Sequence, residues 1–162
     1  MIIITKLRVV VVLFLCGLLC HCNRNTLFNE CQTIDNVGWH KDSTCTFLVN
    51  VTDTLHANKV EIIIRHSGTY PNQNLWLFIE TISPDSCLHK DTVQYILADE
   101  VGRWKGSGIG SIFTNTFVYN DSLVFKHQGQ YQYNITQGMR YDYLEGINTV
   151  GLLITQENRG KK

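Results

Sequence analysis

Apolar and polar residues alternate along most of the chain after Phe28, in short runs that are separated by turn residues. A period of two is typical of β-strands, because successive side chains point to opposite faces. The clearest example is 130–137, where Tyr131, Tyr133 and Ile135 alternate with polar residues. The pattern predicts further strands at 44–51, 59–66, 74–83, 91–99, 111–119, 123–126 and 147–155.

Seven to eight short strands at regular spacing are typical of an antiparallel β-sandwich with a jelly-roll-like form. An α/β fold would need amphipathic helices between the strands, and no segment keeps a helical period over that length. Residues 138–145 are the single helical candidate, with about two turns. With 162 residues in total, we predict one all-β domain at 29–156 and a flexible tail at 157–162.

The first 22 residues differ in composition from the rest of the chain. Lys6 and Arg8 precede an unbroken apolar run at 9–19. A helix of this length rises about 16 Å, which is about half of a bilayer core of about 30 Å. A short apolar run behind a positive segment predicts a secretory signal peptide rather than a membrane span.

Cysteines at the end of this segment suggest a lipoprotein signal. The lipoprotein signal peptidase favours a branched apolar residue three positions before the modified cysteine and small residues directly before it. Cys22 has Leu19 and Cys20 at the first two of these positions, although the bulky His21 precedes it directly. We predict a signal peptide at 1–21 and lipid attachment at Cys22, with Cys20 as the second choice. A plain secretory signal is the alternative.

A lipid anchor would make membrane attachment effectively permanent. Each buried methylene contributes about 0.8 kcal/mol, and a bacterial lipoprotein carries two or three long acyl chains, such as palmitate. Residues 22–28 would then form the lipidated N-terminus and a short tether. We therefore expect the N-terminal acyl chains to hold the domain at a membrane.

The charge balance argues against a nucleic-acid partner. The chain has 14 Lys and Arg against 14 Asp and Glu. Removing Lys6 and Arg8 with the signal peptide leaves 12 basic against 14 acidic residues, a net charge of −2. Such a surface lacks the basic patch that nucleic acids and anionic membranes require.

The glycine-rich stretch 102–111 does not match a phosphate-binding loop. It lacks the Gly-Lys-Ser/Thr ending and precedes a predicted strand, whereas phosphate binding uses a helix N-terminus. Gly106, Gly108 and Gly110 share one parity. One face of a strand here would be bare backbone, which a bulky side chain or another chain can approach closely. Trp76 and Trp104 are candidates to cover it in the core, and a partner-binding groove is the alternative.

The histidines and cysteines form no catalytic or metal-binding motif. His40 with Asp42, and His89 with Asp91, would share one strand face, but two ligands do not make a metal site. We expect no metal, no cofactor and no small-molecule substrate. An odd number of cysteines remains after lipidation, which allows at most one disulfide among Cys31, Cys45 and Cys87.

Three segments match sequence blocks of a known family. Residues 70–79 (YPNQNLWLFI) are similar to its YPFSNLYLFV block, and 91–119 contain DTVQYILADEVGRWKGSGIGS, which is similar to its DT-x-E-Y-x-LAD-x-x-GRW-x-G-x-GIGS core. Residues 129–154 resemble its closing strands. The family is the gliding motility lipoprotein GldH of the Bacteroidetes, and the resemblance covers nearly all of the mature chain. Two residues depart from the family's pattern. His21 is a bulky residue directly before the predicted lipidated cysteine, and Cys31 stands where the family has an aromatic residue.

The resemblance implies an outer-membrane lipoprotein of the gliding motility machinery that is associated with type IX secretion. Its implied partners are other envelope proteins of gliding and secretion, and no catalytic residues are carried over. An acid-rich export signal sends some Bacteroidetes lipoproteins to the cell surface, and it is absent from 23–26. We therefore expect a domain that faces the periplasm.

A non-enzymatic docking protein is the predicted function. Tryptophan and arginine are frequent interface anchors, so the predicted partner-binding surface comprises Trp76, Arg103, Trp104, Gly106, Gly108, Gly110 and Arg140. The alternative is a carbohydrate- or peptide-binding β-sandwich module, with Trp104 as its ligand contact. An envelope hydrolase would need clustered carboxylates or histidines, and 99–100 is the only adjacent acidic pair.

Overall fold

The structure is a computed structural model that describes residues 25–157. These residues form eleven strands, all paired antiparallel, and no helix. The strands are β1 (Thr26–Thr33), β2 (Trp39–His40), β3 (Cys45–Val51), β4 (Asn58–Ser67), β5 (Asn74–Ile82), β6 (Leu88–Ile96), β7 (Ser107–Ile109), β8 (Ile112–Leu123), β9 (Gly129–Gln137), β10 (Tyr143–Leu144) and β11 (Ile147–Gln156).

Two sheets enclose one hydrophobic core. The first sheet has the order β1-β11-β4-β8-β7 and the second has the order β3-β9-β5-β6, while β2 and β10 form a separate pair. The predicted all-β sandwich is confirmed. Its eight strands of seven or more residues match the predicted number, and the three strands of two or three residues are additional.

The core consists of the inward faces of the alternating strands. Burying a large apolar side chain stabilises the folded state by about 1.5–3 kcal/mol, and the predicted apolar faces are the ones buried. Four central strands contribute the buried triplets Val60, Ile62 and Ile64; Leu75, Leu77 and Ile79; Tyr131, Tyr133 and Ile135; and Val150, Leu152 and Ile154. The opposite parity of β5 places Trp76 and Phe78 on the outer face.

Two predicted elements are wrong. Residues 138–145 are not helical, because Tyr143–Leu144 pairs with β2 and the Leu144 side chain is fully buried against the core. Residues 123–126 are not a strand, because only Leu123 continues β8 and the Phe125 side chain turns into the core.

Strand β1 carries no clear alternation and was not predicted. It is an edge strand that pairs only with β11, and most of its side chains are exposed. Because β1 begins at Thr26, residues 26–28 are hydrogen-bonded strand, although the sequence suggested a tether there.

One side of the sandwich is formed by the edges of β6 and β8. Strand β7 pairs only with Ile112–Thr114, so the rest of β8 is an edge of the first sheet. Across this side, the ring of Tyr95 stacks on that of Phe117 with centroids 4.4 Å apart. The Tyr119 hydroxyl also donates a hydrogen bond to Asp91 at 2.5 Å. Both contacts connect the two sheets, and the Tyr119–Asp91 pair lines a cleft described below.

The predicted signal peptide, Cys20 and Cys22 lie outside the described residues. Within 25–157, no helix is long and apolar enough to cross a membrane.

Candidate functional site

Trp76 and Arg140 line one groove on the outer face of the second sheet. The groove has a volume of about 790 Å³, and Phe78, Met139 and Tyr141 complete its aromatic and apolar lining. Trp76 and Phe78 are 37% and 47% exposed, and Tyr141 is 42% exposed. Two of the seven predicted docking residues are therefore brought together around a concave surface, which we call the Trp76 groove.

The segment after β9 forms one wall of this groove because Gln137 and Gly138 hold it against β5. The buried Gln137 side chain donates to the Tyr141 carbonyl and accepts from the Met139 amide, both at 2.8 Å. The Gly138 amide donates to the Trp76 carbonyl at 2.7 Å. A Cβ on Gly138 would lie 3.3 Å from Phe78 and Trp76, so the bare backbone permits this close approach.

Trp104 lies in a different place, inside an aromatic cluster. Its ring is half-buried and packs against His66 with centroids 4.6 Å apart, and against Phe113 and Tyr70 at 6.0 and 6.3 Å. A tryptophan held among rings in this way contributes mainly to packing. The Trp104 cluster shares no residue with the lining of the Trp76 groove.

The three predicted glycines do not form one bare strand face. A Cβ on Gly106 would lie 2.7 Å from the Asn115 side chain, and one on Gly108 would lie 2.8 Å from the Ile112 carbonyl oxygen. The backbone at these two positions is therefore covered by packing within the domain, as one of the two alternatives predicted. Strand β8, rather than a tryptophan, covers it. Gly110 lies beyond β7 in a turn with a φ of +67°, and no other group lies within 4 Å of its Cβ position.

Arg103 stands apart at the tip of a hairpin that follows β6. Its side chain is exposed and its Nε donates to Asp99 at 2.8 Å. Hydrogen bonds from the Arg103 backbone and side chain lower the pKa of Asp99. Asp99 therefore stays ionised at neutral pH and stabilises a turn, which does not suit the general acid that a hydrolase at 99–100 would need.

The described histidines and acids form pairs rather than metal sites. No three His, Cys, Asp or Glu side chains within 25–157 are arranged to hold a metal ion. The predicted shared face of His89 and Asp91 is confirmed by a hydrogen bond of 2.9 Å. Cysteines 31, 45 and 87 are all free thiols, and burial raises the pKa of Cys45 to about 11, so that thiol is unreactive.

A second concave site was missed in the sequence. His89 and Asp91 lie in a cleft of about 380 Å³ together with Tyr119, between the β5–β6 loop and the β8–β9 loop. The His-x-Asp spacing in β6 was the available signal, but Tyr119 lies 28 residues away from Asp91. Only the packing of β8 beside β6 brings its hydroxyl to the carboxylate.

Acid is expected to destabilise the domain through His66. This imidazole is fully buried, and its Nδ1–H donates to the Ser67 carbonyl at 3.0 Å while Nε2 has no partner. Burial lowers the pKa of His66 from its ordinary value. The unfolded state therefore binds a proton first, and stability falls as the pH decreases below about 6.5.

Urea unfolding at a series of pH values tests this expectation. A His66→Phe variant keeps an aromatic ring in the cluster and should lose part of the decrease in stability between pH 7.5 and 5. His127→Gln, which removes an exposed imidazole instead, should retain the decrease. Equal slopes in the wild type and His66→Phe would show that His66 does not destabilise the fold in acid.

Together these features define the class of the protein as a single-domain, all-β sandwich with an exposed aromatic groove on one sheet. The family model described as GldH lipoprotein matches residues 26–154, which include all eleven strands apart from the last two residues of β11. The chain belongs to the GldH lipoprotein family, and the predicted resemblance is confirmed.

Two relatives extend over nearly the same length. The gliding motility lipoprotein GldH of Flavobacterium johnsoniae is 30% identical over 148 residues, covering 87% of this chain and 91% of the relative. A GldH homolog from Christiangramia forsetii is 29% identical over 144 residues, covering 85% and 88% of the two chains.

Similarity to solved structures is weak. The VP2 subviral particle of infectious bursal disease virus gives a TM-score of 0.36 at 15% identity, covering 84% of this chain and 32% of that chain. The CBM35 from Cellvibrio japonicus Abf62 gives 0.34 at 15% identity, covering 84% and 93%. These values are too low to establish a shared fold.

Proposed function

We propose that this protein is a lipid-anchored, non-enzymatic docking component of the gliding motility machinery. Membership of the GldH lipoprotein family supports the role in gliding and the attachment to the cell envelope. Location on the outer membrane, a periplasm-facing domain and association with type IX secretion are further parts of the proposal. They rest on the sequence resemblance and on the lack of an acid-rich stretch at 23–26.

The Trp76 groove is the observation that carries the docking role. Scattered exposed apolar residues are normal on protein surfaces, but an aromatic cluster beside an arginine has the composition of an interface centre. Here Trp76, Phe78 and Tyr141 surround a concavity beside the exposed Arg140. Hydrogen bonds of the main chain and of the Gln137 side chain hold the groove walls in place. Little conformational entropy would therefore be lost when a partner binds.

The double variant Trp76→Ala, Arg140→Ala is expected to abolish gliding while leaving the fold intact. Interface anchors of this kind contribute about 2 kcal/mol or more each, so losing one weakens binding roughly thirtyfold. The variant should replace the chromosomal copy, and gliding should be measured together with the envelope proteins that co-purify after cross-linking.

A matched control is Leu48→Ala on β3, which removes a side chain that is 50% exposed and lies on the outer face of the same sheet outside the groove. Cells that carry Leu48→Ala should glide normally. Normal gliding and an unchanged set of co-purifying proteins in the double variant, at wild-type abundance, would refute docking through this groove.

The carbohydrate-binding alternative does not fit its expected contact, Trp104. That ring packs against His66 inside the Trp104 cluster and is not a free platform. A different concave surface of the described residues carries polar groups at Asp91.

A further inference from the structure

We infer that the cleft around Asp91 binds a neutral saccharide of one or two rings. This inference goes beyond the docking role and does not depend on it, because the cleft and the Trp76 groove share no lining residue. The ligand is bound unchanged, so the expectation that the protein has no small-molecule substrate is not affected.

The cleft lies on the side of the sandwich formed by the edges of β6 and β8, where two loops meet. The β5–β6 loop contributes Ser83 and Asp85, the β8–β9 loop contributes Lys126 and His127, and strands β6, β8 and β9 supply further lining. Its volume of about 380 Å³ falls at the lower end of the range for small-molecule sites. That volume suits a monosaccharide or a disaccharide rather than a polymer.

Asp91 is the central polar group of the cleft. Its Oδ2 accepts hydrogen bonds from the Tyr119 hydroxyl at 2.5 Å and from His89 Nε2 at 2.9 Å. No described residue donates a hydrogen bond to Oδ1. The carboxylate is therefore held in one orientation with an acceptor oxygen free for a ligand hydroxyl. Hydrogen bonds to a charged acceptor are stronger than those between neutral groups.

A second acid–imidazole pair lies on the loops. Asp85 Oδ1 accepts from the Ser83 hydroxyl at 2.7 Å, while Asp85 Oδ2 lies 3.4 Å from His127 Nε2. The Ser83 hydroxyl hydrogen bond is the main cause of a lowered pKa at Asp85, so this acid is ionised at neutral pH. The pair places another acceptor and another imidazole in the lining of the same cleft.

Buried aromatic rings lie behind the aliphatic side chains of Leu123 and Val124 in the apolar part of the lining. Phe125 and Tyr131 are buried with their ring centroids 4.8 Å apart, and the buried Tyr133 lies beside Tyr131 on the same face of β9. Burial raises the pKa of both Tyr119 and Tyr133, and the Asp91 charge adds to the effect at Tyr119. These phenols are therefore neutral and able both to donate and to accept hydrogen bonds.

The combination of charged, polar and apolar groups in the cleft favours a neutral saccharide over an anion or a cation. An anion would need several cations, and Lys126 is the only lysine or arginine among the lining residues. A metal cation would need several free acceptor oxygens, but Asp91 Oδ1 is the one carboxylate oxygen of the described lining without a partner, since Asp85 and Asp91 each have Oδ2 beside an imidazole. A sugar hydroxyl both donates and accepts, which matches a surface of carboxylates, imidazoles and hydroxyls. The C–H groups of a sugar ring can contact the accessible apolar part of the lining, where Leu123 is half-buried and Val124 is exposed.

Calorimetric titration of the full chain in a zwitterionic detergent, which carries no sugar headgroup, tests the inference. The probes are glucose, galactose, N-acetylglucosamine, cellobiose, lactose and chitobiose, with tetramethylammonium as a cationic probe. At least one saccharide is expected to bind saturably with a Kd of roughly 0.05–5 mM, as small ligands of this size do. Asp91→Asn should weaken that binding roughly ten- to hundredfold.

Glu80→Gln is the matched control, since Glu80 lies on β5 of the same sheet, outside the cleft, and pairs with Lys90. It makes the same carboxylate-to-amide change and should bind like the wild type. Amide chemical-shift mapping of the wild-type protein provides a readout that does not depend on how the variants fold. Shifts on adding the sugar should concentrate at 81–91 and 119–133.

Three results would overturn the inference. The first is that none of the six saccharides saturates below 50 mM, a ceiling roughly tenfold above the weakest expected Kd. The second is binding that Asp91→Asn leaves unchanged or that shifts amides elsewhere. The third is tighter binding of tetramethylammonium in the cleft, which would identify a cation site instead.

Discussion

Replacing Cys22 by serine is expected to transfer the protein from the membrane fraction to the soluble fraction. Only a cysteine thiol can form the thioether that carries the lipid, so Cys22→Ser should have no acyl mass. Two or more long acyl chains make membrane attachment effectively permanent, and the polar segment 23–26 offers no substitute for them. Intact mass and membrane fractionation of the native protein and the variant are the measurements.

Cys20→Ser is the matched control, because it makes the same chemical change two positions earlier. It should keep an acylated N-terminus at Cys22 and remain in the membrane fraction. If Cys20→Ser releases the protein and Cys22→Ser does not, Cys20 is the modified residue. An unacylated, soluble wild-type protein would remove the lipid anchor from the proposed function and make a secreted binding module the leading alternative.

Gly146→Ala is expected to destabilise the domain by about 2–5 kcal/mol. Gly146 has a φ of +84°, where a side chain costs about 1–2 kcal/mol. Its Cβ would also lie 2.8 Å from the Tyr70 Cα, which is backbone and cannot rotate away; such overpacking costs about 1–3 kcal/mol. The total is a large share of a typical unfolding free energy of about 5–15 kcal/mol.

Gly102→Ala separates the two costs. Gly102 has nearly the same φ, +81°, but no other group lies within 4 Å of its Cβ position. It should therefore lose only the conformational part, about 1–2 kcal/mol. Urea unfolding of both variants measures the difference. Equal losses would mean that the contact with Tyr70 relaxes without cost and that the fold tolerates a side chain at Gly146.

The central strands could be predicted because their burial is alternating and local. Val60, Ile62 and Ile64 face one hydrophobic core, so their period of two is visible without any knowledge of the partner strands. Strand β1 could not be predicted in this way, because an edge strand with mostly exposed side chains has no such period. Its structure depends on hydrogen bonds to β11, which is about 120 residues away along the chain.

The predicted docking residues show what residue type alone can and cannot predict. Trp76 and Arg140 were predicted as interface anchors, and they share a groove because Gln137 and Gly138 hold the segment after β9 against β5. Trp104 was predicted for the same surface by the same criterion, but it packs against His66 instead. Residue type therefore identified candidates, and only the tertiary structure showed that Trp76 and Arg140 line a groove while Trp104 packs in an aromatic cluster.

The sequence by itself determined the fold class, the inward faces of the long strands and the family. Each of these follows from patterns that are local or that repeat along the chain. The tertiary structure alone decided which distant side chains come together: Trp76 and Arg140 line one groove, and Tyr119 donates a hydrogen bond to Asp91. The physical reason is that strand order and sheet packing arise from contacts between residues far apart in the chain, and no local pattern of residues encodes those contacts.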